Sequence, residues 1–162
     1  MHDVRGIVSA SGVASVSRAS NFVGQLLASL LGMPPAGQDY PAIVTFSNRG
    51  DAEVLTRRYG DNRLETVQKQ GVGKESVYLV EKFGPVGLLL KLHGNETGIR
   101  FEIVRVRVFG IPLARCIWPT LDAHEWVEED WYRFSVEIGL PVVGRIVRYE
   151  GRLQIDEEAA IS

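Results

Sequence analysis

The spacing of hydrophobic positions changes once along this chain. Between Ser20 and Leu31, Phe22, Val23, Leu26, Leu27, Leu30 and Leu31 recur at i, i+1, i+4, i+5, i+8 and i+9, which predicts a helix with one continuous apolar stripe. Ser20 or Asn21 can cap its first turn, Gly32 suits the left-handed position after its last, and Pro34-Pro35 forbid continuation. Helices that lie on membranes usually carry several basic residues on the polar side, and this one carries none. The stripe is therefore expected to plug or flank the domain's own core.

After Pro41 the period becomes two. Asn48-Arg49-Gly50-Asp51, Gly60-Asp61-Asn62, Gly71-Val72-Gly73, Gly84-Pro85 and the stretch from Gly94 to Gly98 mark turns at a steady beat. The segments between them, 42–47, 53–59, 63–70, 76–83 and 86–93, read as strands. Connections this short suit antiparallel hairpins, because a parallel pair needs a crossover of about a dozen residues or more. Val86, Leu88, Leu90 and Leu92 share one face, as do Tyr132, Phe134, Val136, Ile138 and Leu140. From Ile99 to Phe109 both parities are apolar, with Phe101 and Ile103 on one and Val104, Val106 and Val108 on the other. A β-bulge near Ile103-Val104 would turn both sets inward. Beyond the break at Gly110-Ile111-Pro112, strands are predicted over 122–128, 131–140 and 142–155.

The expected fold is mainly β: an antiparallel meander of eight or nine strands, closed as a barrel or strongly curled as a half-barrel, with one N-terminal amphipathic helix. A helix-grip fold would need a long C-terminal helix, and residues 142–162 hold Gly144 and Gly151 but no helical stripe. Residues 20–155 are expected to form a single domain, preceded by a flexible leader over 1–19 and followed by a frayed acidic tail over 156–162.

Composition removes several functions. A net charge of −2, from 18 basic and 20 acidic residues, argues against nucleic-acid binding. The apolar runs are too short to span a membrane, and the single Cys116 cannot form an internal bridge, which suits the cytoplasm. His2, His93, His124 and Cys116 show no ligand spacing, so neither a metal nor a cofactor is expected. Gly71-Val72-Gly73-Lys74-Glu75-Ser76 departs from a phosphate loop, with Gln68 where its first glycine belongs, and reads as a turn.

Two features could carry chemistry. In Asp122-Ala123-His124-Glu125-Trp126-Val127-Glu128-Glu129-Asp130, five acids surround one histidine. On a strand, Asp122, His124, Trp126 and Glu128 share a face while Glu125 points the other way. His124 and Glu125 are the candidate acid–base residues, against the simpler reading of a solvated hairpin that turns at Glu128-Glu129-Asp130. Arginine is the second feature, with fourteen Arg against four Lys. Any of Arg57, Arg105, Arg107 or Arg145 turned inward from its strand would need an anion or an internal carboxylate. Arg57, Arg107, Trp118, Trp126, Tyr132 and Tyr149 are the candidate ligand-binding residues.

Leu31-Gly32-Met33-Pro34-Pro35-Ala36-Gly37, Thr56-Arg57-Arg58-Tyr59-Gly60, Phe109-Gly110-Ile111-Pro112-Leu113, Trp118-Pro119 and the run from Leu140 to Gly151 resemble an uncharacterised family of bacterial domains of unknown function. The likeness runs from Leu30 to Leu153. It implies a domain that stands alone or follows a short-chain-dehydrogenase-like or saccharopine-dehydrogenase-like oxidoreductase domain, and it assigns no catalytic residue. This chain departs from the family pattern at Ala114, Asp130, Ser135 and Arg152, and it lacks a dinucleotide fingerprint. The expected function is a non-catalytic module that binds a small apolar or amphipathic ligand in a barrel cavity, auxiliary to an oxidoreductase. The alternatives are an acid–base enzyme using the same cavity and a protein-interaction domain.

Overall fold

The computed structural model describes residues 8–156. Eleven strands form one antiparallel sheet: β1 (Val8–Arg18), β2 (Gly37–Arg49), β3 (Ala52–Tyr59), β4 (Asn62–Gln70), β5 (Leu79–Phe83), β6 (Val86–Asn95), β7 (Gly98–Val108), β8 (Ile111–Pro112), β9 (Thr120–Glu128), β10 (Trp131–Leu140) and β11 (Gly144–Ile155). The one α-helix, α1 (Phe22–Leu30), lies between β1 and β2. Pairing of β6 with β7, of β7 with β9 and of β1 with β11 closes ten of the strands into a ring. β8 is a two-residue spur on β7.

Closure depends on a strand that the sequence hides. Val8–Arg18 falls within the expected flexible leader, yet it pairs with β2 on one side and β11 on the other. Its inward positions are Ala10, Gly12, Ala14 and Val16, and its outward ones are mostly serine, so the alternation exists but its amplitude is low. Small residues are needed there: a Cβ on Gly12 would stand 2.0 Å from the Arg152 carbonyl oxygen, and one on Gly151 would stand 2.4 Å from that of Val13. At the other terminus, Asp156, just past the end of β11, is tied to β1. Its amide donates to the Ser9 carbonyl and its carboxylate accepts from the Ser11 hydroxyl. The remainder of the expected leader and tail lies outside the described residues.

The bulge falls where both parities turn apolar. Leu90 pairs with Ile103 and Leu89 with Arg105, which leaves Val104 as the extra residue. Ile99, Phe101 and Ile103 face inward before it and Val106 and Val108 after it. Arg105 and Arg107 are thereby sent to the outer wall.

One end of the barrel is filled. Asn21 caps α1 through its side chain, which accepts from the Gly24 amide, and Gly32 takes a φ of 66° after the last turn. Gly24 and Ala28 are the buried helix positions, while Leu27 and Leu31 are half-buried. Phe22, Val23, Leu26 and Leu30 are exposed. Only part of the stripe therefore flanks the core, because the wall is approached on the small residues: a Cβ at Gly24 would meet the Ala19 side chain at 2.4 Å. Hydrophobicity alone points to the large side chains, whereas close approach selects the small ones. Ala28 and Met33 join Val16, Ala42, Tyr59, Val147 and Tyr149 in the core. Arg18 fixes the turn after the helix by donating to the carbonyls of Met33 and Pro34 and to the Ser29 hydroxyl.

Candidate functional site

Register separates the two faces of the wall. Tyr132 opposes Leu153 and Val127, and Phe134 opposes Gly151 and Glu125, so Tyr132, Phe134, Glu125 and Val127 share the inner face. On the opposite side of the ring, Arg57 opposes Val44 and Leu64, and Glu81 opposes Gln68 and Leu88, again inward. An eight-stranded barrel has an interior just wide enough for its side chains to fill, and diameter grows with strand number. Toward the end away from α1 the inner face of the ten-stranded ring, its lumen, is less completely covered. Inward-facing Phe46, Leu92, Ile99 and Tyr132 remain 38%, 44%, 39% and 37% exposed there.

Polar groups stand on two sides of this lumen above the filled end. The Arg57 guanidinium donates to the Thr66 hydroxyl at 3.1 Å and to the Glu81 carboxylate at 3.3 Å. Their side chains are 23% and 15% exposed, and their inward register directs that exposure to the lumen. Burial opposes the charge on Arg57, and the neighbouring Glu81 carboxylate together with Tyr59 and Tyr149 outweighs this, so its pKa lies above the usual value. Across the lumen, Tyr132 donates its hydroxyl proton to the Glu125 carboxylate. Burial pushes the Glu125 carboxyl above the ordinary carboxylate range, against the opposing pulls of Tyr132 and Arg57. Inward register sets Glu125 on the wall opposite Arg57, which lowers its pKa while Glu81 raises it. Beneath them Tyr59 and Tyr149 stack with ring centroids 5.9 Å apart, and the Tyr149 hydroxyl meets the Met33 sulfur at 3.6 Å. Burial holds both phenols neutral, with pKa values above the ordinary range.

Of the sequence candidates, Arg57, Glu125, Tyr132 and Tyr149 meet in or beneath the lumen. The others stand outside it. Arg107 is on the outer wall, where it shares the Glu75 carboxylate with Arg105 at 2.9 and 2.6 Å and ties the β4–β5 connection to β7. Trp118 lies in the connection between β8 and β9, its indole N–H bonded to the Leu113 carbonyl. His124 and Trp126 stack on each other on the outer face of β9 at 4.7 Å. Trp126 also lines a shallow outer groove of about 420 Å³ with Arg133, Glu150 and Arg152. The strand alternation thus sends His124 and Glu125 to opposite sides of the wall. The acidic turn is a tight hairpin, with Glu129 and Asp130 at φ values of 49° and 67°. No group of three metal-ligating side chains occurs among the described residues.

Sequence reasoning missed Tyr59, Thr66 and Glu81. The signal was a charged residue on an apolar parity: Glu81 lies between Leu79 and Phe83, as Arg57 lies between Leu55 and Tyr59 and Glu125 between Ala123 and Val127.

Fold and site define a closed, antiparallel, ten-stranded β-barrel with one filled end and a polar cluster in its lumen. Residues 1–153 match the family described as a domain of unknown function, DUF4166, and the chain belongs to that family. No curated protein and no solved structure matches it. No helix among the described residues is long and apolar enough to cross a membrane.

Proposed function

We propose that this domain is a non-catalytic module that takes a small apolar or amphipathic ligand into its barrel. The observation that carries this reading is the exposure of Phe46, Leu92 and Ile99 on the inner wall, where a packed core would bury them. Apolar Phe46, Leu92 and Ile99 share one end of the inner face with Glu125 and Tyr132, and Arg57 and Glu81 supply further polar partners on the same face. An amphipathic ligand matches that combination.

Titration of the full chain with the neutral dye N-phenyl-1-naphthylamine tests the reading. Saturable 1:1 fluorescence enhancement is expected, and Ile99→Trp, which fills the lumen, should abolish it without unfolding the protein. Unsaturable dye uptake, or uptake unchanged in that variant, would overturn the proposal.

A module of this kind acts for another protein. An oxidoreductase domain or partner is the proposed recipient, on the strength of the domain arrangement that the family resemblance implies. A cytoplasmic setting accords with a lone, exposed and unbridged Cys116. Two other readings each have a supporting observation. The raised pKa of Glu125 beside Tyr132 suits acid–base chemistry in the same cavity. The exposed Phe22, Val23, Leu26 and Leu30 suit docking of α1 on a partner protein.

A further inference from the structure

We infer that the lumen selects ligands with a neutral or cationic polar head and rejects anionic amphiphiles. This inference rests on the cavity-binding reading and names the ligand class for that same site. Among the described residues, the carboxylate and cationic side chains that register directs inward above the filled end are Glu53, Arg57, Glu81 and Glu125. Three carboxyl groups therefore face one guanidinium. Arg57 is already held by Glu81 and Thr66. The other inward cation, Arg18, is committed to the carbonyls of Met33 and Pro34 and to Ser29 at the filled end.

Among the described residues, an anionic head meets no inward cation that is not already paired. To reach Arg57 it must displace the Glu81 carboxylate or share the guanidinium with it, facing Glu125 from across the lumen. Like charges repel more strongly inside the barrel than in bulk water. A hydroxyl, in contrast, donates to Glu125 or accepts from Tyr132 without disturbing the Arg57–Glu81 pair. An ammonium gains the Glu125 carboxylate as a counter-ion, and Glu53 near the mouth adds a field of the same sign. The Arg-rich composition of the chain gives no hint of this acidity, because the alternation sends most arginines to the outer wall.

The test displaces N-phenyl-1-naphthylamine from the full chain at neutral pH with three ligands of equal length: decylammonium, decanol and decanoate. Decylammonium and decanol should compete at concentrations at least about tenfold lower than decanoate. Glu125→Gln should remove most of the advantage of decylammonium over decanol while leaving dye affinity in place. Glu81→Gln frees Arg57 and should improve decanoate competition by about tenfold. Decanoate competing as well as the other two, or Glu81→Gln leaving it unchanged, would overturn the charge selection and leave cavity binding standing. Absence of saturable dye binding overturns both.

Discussion

The two ends of the barrel are built by the same strands with the same alternation, and they behave as different materials. Near α1 the inward residues Val16, Ala42, Tyr59, Val147 and Tyr149 are 5% exposed or less. Toward the other end Phe46, Leu92 and Ile99 point along the same inner face and stay accessible. The difference comes from what each end receives. The helix, its following turn and two stacked tyrosines fill one end, while toward the other no element crosses the ring among the described residues. Stability is expected to concentrate where the filling is, and the proposed binding capacity where it stops.

Substitutions that probe this contrast can be ranked. Tyr149→Ala should have the largest effect, about 3–5 kcal/mol in urea unfolding, because it removes a buried ring and its stack on Tyr59. A loss below about 1 kcal/mol would show that the filled end is not the stabilising one. Gly151→Ala comes next, at about 1–3 kcal/mol, since the new methyl meets the Val13 carbonyl, Ala14 and the Phe134 ring within 3 Å. The same substitution at Gly94, where nothing lies within 4 Å, is the control and should be nearly neutral.

A smaller effect depends on pH. The pKa of Glu125 is higher in the folded chain than in the unfolded one, so between those two values the folded state holds the additional proton. Stability should therefore fall as pH rises through that window, and Glu125→Gln should flatten the fall. Parallel profiles for the two proteins would remove Glu125 as its source. Leu92→Ala should have the smallest effect on stability, below about 1 kcal/mol, because its side chain already borders open space and leaves no closed cavity behind. Its effect should appear instead as weaker uptake of the dye.

Much of the fold was legible. Nine of the strands, the cap at Asn21, the stop at Gly32 and the bulge at Val104 follow from period, turn residues and a parity that switches in mid-strand. β1 was not legible because its residues are small: the closeness that demands glycine and alanine at Gly12, Ala14 and Gly151 also erases the hydrophobic contrast by which strands are recognised. The face of α1 was misjudged for the same reason, with Gly24 and Ala28 buried in place of Phe22 and Leu30. The candidate site was half legible. Arg57, Glu125, Tyr132 and Tyr149 stood out by residue type, but Glu81, Thr66 and Tyr59 became partners only when strands distant in the sequence closed the ring.

By itself the sequence determined where the chain turns and, in nine of the strands, which residues alternate and share a face, because these are local consequences of backbone geometry and near-neighbour chemistry. Tertiary structure decided closure, the location of the filling, the meeting of Arg57 with Glu81 and the placing of Glu125 on the facing wall. Those outcomes depend on the number of strands in the ring and on contacts between residues far apart in the chain, and no local pattern carries either.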